Sequence, residues 1–101
     1  MDRDRALCTL RAHEDELRAA GVIRVSLFGS VARDEEYVND VDIAVRLGGN
    51  FSKPGLDYFS RLDELEQRLT RILARKVDVV GEPLRKARFQ QAIDRDRAVA
   101  F

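Results

Sequence analysis

The 101-residue chain contains one cysteine, Cys8, and one histidine, His13. A single cysteine excludes an intrachain disulfide and a cysteine-rich metal site, and it favours a reducing compartment. Cys8 and His13 are five residues apart in a predicted helix, so they lie on different faces and do not suit a thiol–imidazole catalytic pair. Cys8 is predicted to be an inert packed residue, and His13 an exposed residue without a functional role.

An excess charge of one sign and long apolar runs are also missing. The 18 Lys and Arg residues balance 18 Asp and Glu residues, so the chain lacks the net basic field of a generic nucleic-acid binder. No stretch approaches the ~18 apolar residues of a membrane span, and no apolar run follows the charged N-terminus. We therefore expect a cytoplasmic protein with no membrane association and no direct nucleic-acid binding. The length fits one domain, residues 1–101, with room for one modest core.

Hydrophobic periodicity predicts one α/β or α+β domain around a small sheet. Segments with apolar residues at helical spacing are separated by short strand-like segments. The strand-like segments are rich in β-branched residues or alternate between apolar and polar residues. The clearest amphipathic helix begins near Leu56 and ends at Leu73. In chain order the predicted elements are a helix over 3–20, a strand over 22–28, a short helix over about 30–36, a strand over 41–47, the helix over 56–73, a strand over 77–81 and a weaker helix over 84–94.

Three acidic residues stand in or beside the apolar strands, where an unpaired carboxylate is costly. Asp40 and Asp42 are two residues apart on a strand, so both carboxylates leave the same face. Two like charges this close favour a divalent cation or a protonated partner. Oxygen ligands without nearby Cys or His indicate Mg²⁺ or Mn²⁺, whose coordination substrate phosphates complete. Asp78, on a third strand, is predicted to reach the same metal ions.

The Gly29-Ser30 turn at the end of the first strand is a candidate phosphate cradle. Glycine lets the backbone approach an anion, and the following helix N-terminus offers N–H groups. Ser30 adds a hydroxyl, and Arg33 adds a charged fork one turn later. If the first two strands pair antiparallel, this turn shares an edge with Asp40 and Asp42. Two metal ions and three carboxylates then suit an in-line attack on phosphorus.

Structural roles stay open for the same residues. The first two acids also suit a solvated strand edge, and Asp78 also suits an ion pair with Arg75 or Lys76. Ser30 also suits a helix cap, and Arg33 a surface or partner-facing position.

The combination resembles the minimal nucleotidyltransferases, or MNT proteins, of the DNA polymerase β superfamily. Their pattern is a strand ending in Gly-Ser, often followed by Ala-Arg, then Asp-hydrophobic-Asp and a later Asp on a strand. In this chain the pattern reads Leu27–Arg33, Asn39–Val45 and Lys76–Val80. Asp34-Glu35 and Asn39 depart from the usual residues, and the acids at 34–36 are expected to face solvent or a partner. The resemblance covers most of the chain and implies a polymerase β palm-like fold, a small mixed sheet with flanking helices.

By this resemblance, Asp40 and Asp42 would bind both Mg²⁺ ions, and Asp78 would serve as a ligand and general base. Gly29 and Ser30 would hold the phosphates of ATP, the substrate. Larger relatives that modify antibiotics or tRNA carry an extra helical domain for the acceptor, whereas small MNT proteins resemble antitoxins paired with a HEPN ribonuclease toxin. The resemblance therefore implies AMP transfer to a hydroxyl, typically of tyrosine, on a HEPN partner within a hetero-oligomer.

Two other functions stay open at this point. The chain could be a binding antitoxin that silences its partner by occlusion while keeping the acidic residues. It could also be a homodimeric nucleotidyltransferase that modifies a small alcohol or aminoglycoside.

Overall fold

The computed structural model describes residues 2–35, 40–49, 51 and 58–101. A four-stranded sheet in the order β3-β2-β1-β4 forms the centre of the domain. β1 pairs antiparallel with both β2 and β4, whereas β2 and β3 pair parallel. This arrangement confirms the predicted mixed sheet with flanking helices. The elements are α1 (Arg3–Ala12), α2 (Glu14–Ala19), β1 (Val22–Phe28), α3 (Gly29–Ala32), β2 (Val41–Leu47), α4 (Tyr58–Leu73), β3 (Val77–Glu82), α5 (Ala87–Asp96) and β4 (Ala98–Val99).

The N-terminal segment forms two helices, so the prediction of one helix over 3–20 is wrong. His13 separates them with backbone angles of φ −107° and ψ 16°, and its Nδ1 lies 2.9 Å from the Thr9 carbonyl oxygen. His13 is therefore half-buried, not fully exposed. The prediction that Cys8 is packed is also wrong, because Leu7 and Leu10 occupy the buried face of α1 and Cys8 is exposed.

One face of the sheet carries the hydrophobic core. Alternate residues of the strands point to this face because side chains switch sides at each position. α4 covers it with its own buried residues Leu65, Leu69 and Leu73. Helical periodicity also places Phe59 in the apolar stripe, and that prediction is wrong because Phe59 is 73% exposed. Leu56, the predicted start of that helix, lies outside the described residues. The buried strand residues on this face are Val25, Leu27, Val41, Ile43, Val45 and Val77.

The outer edge of β3 is closed by two side chains of α4. The Val77 N–H donates to Thr70 Oγ1 over 3.2 Å, and the Val79 N–H donates to Glu66 Oε2 over 3.0 Å. An edge strand otherwise presents unpaired N–H groups that invite pairing with another chain. α4, which connects β2 to β3, thus also accepts hydrogen bonds from the N–H groups at the outer edge of β3.

Thr70→Val is expected to lower the free energy of unfolding by about 1–3 kcal/mol, because it leaves the part-buried Val77 N–H without its acceptor. Thr70→Ser keeps the hydroxyl and is expected to lose less stability. Urea denaturation of both variants measures the difference. Unchanged stability in Thr70→Val would show that this hydrogen bond does not stabilise the edge.

A part-buried polar network joins the C-terminal segment to the opposite face of the sheet. The side chain of Glu82 is only 1% exposed and forms an ion pair with Arg97. Arg97 also donates to the Ser26 hydroxyl over 2.9 Å and to Asp94 over 2.7 Å. Gln90 donates to Glu82 and accepts a hydrogen bond from the Leu84 N–H. This network holds α5 and the residues after it against the sheet centre.

The C-terminal segment observed here differs in detail from the predicted one. The helix runs over Ala87–Asp96, whereas a weaker helix over 84–94 was predicted, and it is followed by β4. Ile93 is its buried residue. Within the described residues, no helix is both long and apolar enough to cross a membrane.

Candidate active site

The turn between β1 and α3 brings the backbone against a carboxylate of β2. Gly29 has φ +69°, in the left-handed region that glycine tolerates. A Cβ atom added to Gly29 would lie 2.5 Å from Asp42 Oδ2. Any side chain at this position would therefore displace the carboxylate. The structure thus gives Gly29 a steric role that is independent of any bound phosphate.

The sheet register places Asp42 between the turn and Asp78. Asp42 pairs with Phe28 of β1 on one side and with Asp78 of β3 on the other. Paired residues on adjacent strands point to the same face, and neighbouring strands lie about 4.8 Å apart. The third acid, Asp40, is half-buried one residue before β2, where the Val41 N–H donates to the Lys76 carbonyl over 2.9 Å. The three predicted acids therefore lie at the same end of the sheet, with Asp42 and Asp78 paired on neighbouring strands.

Burial and repulsion act together on Asp42. Burial raises the pKa of the Asp42 carboxyl, and the nearby Asp78 and Asp40 carboxylates raise this pKa further. The positive charge of Arg33 lowers the pKa of Asp42 and is the smaller influence. The negative charge of Asp42 is thus incompletely compensated, which is the condition that a bound cation would relieve.

The donor set fits a magnesium site that a nucleotide completes. Within residues 2–35, 40–49, 51 and 58–101, no three Asp, Glu, His or Cys side chains are gathered into a ready-made metal cluster. Mg²⁺ commonly uses one or two carboxylates together with substrate phosphates and water. Two neighbouring carboxylates with a third beside them match that requirement. The roles of Asp40, Asp42 and Asp78 as ligands stay predictions.

Arg33 is engaged in ion pairs in this structure. Its guanidinium lies 2.8 Å from Glu35 and 2.7 Å from Asp96. The hydrogen bond to Glu35 raises the pKa of the Arg33 guanidinium most, and the hydrogen bond to Asp96 raises it further. Arg33 therefore joins α3 to the end of α5. To bind a phosphate, as predicted, it would have to exchange one of these carboxylates for the nucleotide.

Ser30 lies inside the single turn of α3. The N-cap of this helix is Phe28, which makes no side-chain cap hydrogen bond, so Ser30 is not the cap. The Ser30 carbonyl accepts a hydrogen bond from the Glu35 N–H over 3.1 Å. Its predicted contact with a phosphate stays a prediction.

Sequence reasoning missed the polar network behind the site. Ser26 is completely buried on the same sheet face as Asp42, two residues before Phe28. Two sequence signals could have indicated this network. One is Ser26 within an apolar strand, and the other is Glu82 directly after the predicted strand over 77–81. Nothing local marks Arg97 as their partner, because it is 15 residues from Glu82 and 71 from Ser26.

Gly29→Ala is expected to weaken binding of a non-hydrolysable ATP analogue with Mg²⁺ by roughly 10- to 100-fold, because the added methyl group displaces Asp42. Gly49→Ala is the matched control, since a Cβ there meets nothing within 4 Å. Isothermal titration calorimetry of both variants measures the affinity. Unchanged affinity in Gly29→Ala would show that the close approach of Asp42 to the turn is not needed for the nucleotide.

The fold and these motifs define a nucleotidyltransferase domain. The chain belongs to this family, whose model matches residues 10–100. It is similar to a solved structure described as a minimal nucleotidyltransferase, with a TM-score of 0.75, 25% identity, and coverage of 97% of this chain and 95% of that chain. The predicted family and fold are thereby confirmed. No curated protein matches the chain.

Two further solved structures are toxin-antitoxin complexes. One is a toxin-antitoxin with AMP-PNP, with a TM-score of 0.64 and 27% identity over 84% of this chain and 66% of that chain. The other is an MNT antitoxin in complex with a tri-AMPylated Shewanella oneidensis HEPN toxin. That match has a TM-score of 0.57 and 23% identity, and it covers 89% of this chain and 70% of that chain. At this identity the second match shows the fold alone.

Proposed function

We propose that the protein is a Mg²⁺-dependent adenylyltransferase that transfers AMP from ATP to a tyrosine hydroxyl of a HEPN-type toxin, acting as its antitoxin. The observation that carries the proposal is the position of Asp42, which lies beside Asp78 and against the backbone of Gly29. This arrangement gathers negative charge where metal ions and a triphosphate would be held. The family match supports nucleotidyl transfer, and the toxin-antitoxin neighbour with AMP-PNP supports the nucleotide and a toxin partner.

In the proposed reaction, the acceptor hydroxyl oxygen attacks the α-phosphorus of ATP. A new P–O bond forms, the bond to the pyrophosphate group breaks, and pyrophosphate leaves with its electron pair. Asp40 and Asp42 would hold Mg²⁺, which when bound neutralises phosphate charge and stabilises the leaving group. Asp78 would accept the hydroxyl proton, since its carboxylate lies beside Asp42 on the same face.

The backbone around the site supplies rigidity for this chemistry. Asp42 and Asp78 lie on paired strands, so the separation of their backbones is fixed by the ladder. Gly29 lets the turn approach Asp42 without a side chain between them. Carboxylates held on strands need less reorganisation at the moment of reaction than carboxylates on loops.

The test is intact-mass spectrometry of the protein and its adjacent-gene product after incubation with ATP and Mg²⁺. The expected result is an AMP-sized mass gain on the partner that is absent with Asp42→Asn and after chelation of the metal. Peptide mapping then locates the modified residue, which is expected to be a tyrosine.

A stable complex without a mass gain would overturn the catalytic proposal in favour of a binding antitoxin. A mass gain on a small alcohol, with no complex and no modified partner, would instead support a small-molecule nucleotidyltransferase.

A further inference from the structure

A cleft of about 520 Å³ lies between α1 and the end of α4, on the side of the sheet that faces away from Asp42. Its surface is mainly polar, and Ile72 contributes to its smaller apolar part. Among the residues that the structure describes, no acidic side chain lines the cleft. The residues that line it are Arg5, Thr9, Ile72, Leu73, Ala74 and Arg75.

Two arginines that line this cleft are exposed, and their guanidinium groups are unpaired among the described residues. The guanidinium groups of Arg5 and Arg75 make no ion pair or side-chain hydrogen bond with any residue in the described ranges. Arg33 and Arg97, in contrast, are each held by two carboxylates. In a chain with no net charge, a cleft lined by two unpaired cations and no acid is a local excess of positive charge.

The cleft opens at the same end of the sheet as the candidate active site. Arg75 precedes Lys76, whose carbonyl accepts a hydrogen bond from the N–H of Val41, the residue after Asp40. On the other wall, the start of α1 contacts α3: the Arg3 N–H donates to Asp34 Oδ1 over 3.1 Å. The cleft and the carboxylates are therefore neighbours around one edge of the domain.

We infer that an acidic segment of the acceptor protein docks in this cleft. Docking there presents the acceptor hydroxyl to the end of the sheet that carries Asp40, Asp42 and Asp78. This inference rests on the proposed function and adds the surface that binds the acceptor. Arginine forks bind carboxylates in two-pronged geometry. A partner segment that carries two carboxylates therefore matches the charge of this lining.

The test compares the dissociation constant of the complex with the adjacent-gene product for the wild type and three variants of the chain. Arg5→Glu/Arg75→Glu reverses both charges of the cleft. Arg95→Glu/Arg88→Glu is the matched control, because it reverses two exposed arginines on α5, which are not part of the cleft. Thermal melting verifies that each version is folded, and Arg5→Ala/Arg75→Ala serves as a milder second variant.

The expected result is a dissociation constant raised at least about tenfold by the cleft variant and changed much less by the control, since like charges across an interface are strongly unfavourable. Affinity for the ATP analogue with Mg²⁺ is expected to stay unchanged. Equal effects of the cleft and control variants would overturn the inference, as would no effect of either.

Measuring binding separates the two proposals. If the wild type binds its partner without modifying it, the proposed catalysis fails while the cleft variant still tests docking. If AMP is transferred and the cleft variant keeps its affinity, docking fails while catalysis stands. No wild-type complex at all would overturn the docking inference. Binding of a short RNA oligonucleotide that is lost in the cleft variant, with partner affinity unchanged, would reassign the cleft to RNA.

Discussion

Asp42→Asn is expected to reduce AMP transfer at least about 100-fold, because a metal-held transition state loses several kcal/mol when a carboxylate ligand is neutralised. The same change is expected to leave the ligand-free protein as stable as the wild type, or more stable. The reason is that Asp42 is disfavoured as an anion by burial and by the charges of Asp78 and Asp40. The negative charge of Asp42 is thus expected to destabilise the ligand-free fold.

The measurement pairs the transfer rate with urea denaturation of the ligand-free protein in the presence of a chelator. Asp63→Asn is the matched control, since Asp63 is an exposed acid on α4 that hydrogen bonds to Gln67. We expect the control to keep its transfer rate. A marked loss of stability in Asp42→Asn would contradict the inference that its charge is uncompensated, and a retained rate would remove Asp42 from the active site.

Arg97→Met is expected to lower the free energy of unfolding by about 3–5 kcal/mol, the usual cost of leaving a buried ion-pair partner alone. Glu82 is then a charged side chain at 1% exposure, and Gln90 is its one remaining hydrogen-bond donor among the described residues. Ser26 loses its donor in the same variant. Such a loss is a large part of the 5–15 kcal/mol that stabilises a typical domain.

A double variant, Arg97→Met/Glu82→Leu, tests whether the loss comes from the unpaired charge. It is expected to be more stable than Arg97→Met, because no buried carboxylate is left without a cation. If the double variant is less stable than Arg97→Met, then packing and not charge explains the effect. Thermal and urea denaturation of the three proteins provide the comparison.

The same pair gives the wild type a defined pH dependence. The hydrogen bond from Arg97 holds the pKa of Glu82 below its ordinary value of 4.5. An acid whose pKa is lowered by folding contributes stability that is present above its ordinary pKa and is lost as the pH falls through the lowered value. The melting temperature of the wild type is therefore expected to fall more steeply below about pH 4.5 than that of Arg97→Met/Glu82→Leu. Parallel pH profiles would contradict this.

The amino-acid sequence by itself determined β1, β2 and β3 and the face that carries the acids, but not β4. Alternation along Val41–Leu47 placed Asp42 opposite the core residues, and the structure confirms that strand with the same bounds. The helical spacing of apolar residues over 56–73 also predicted α4. These features are local, since the side-chain period of a strand or helix is set by its own backbone geometry.

Periodicity along the chain could not supply contacts between distant residues. The tertiary structure decided that Asp78 lies beside Asp42, because parallel pairing of β2 and β3 depends on how α4 crosses between them. It also decided that Gly29 is required by a carboxylate 13 residues later, and that Arg33 is held by Asp96. The ion pair of Glu82 with Arg97 follows no periodic pattern in the sequence, so periodicity could not predict it. Such contacts depend on long-range packing and strand register, which is why the sequence identified the acids of the site but only the fold showed what surrounds them.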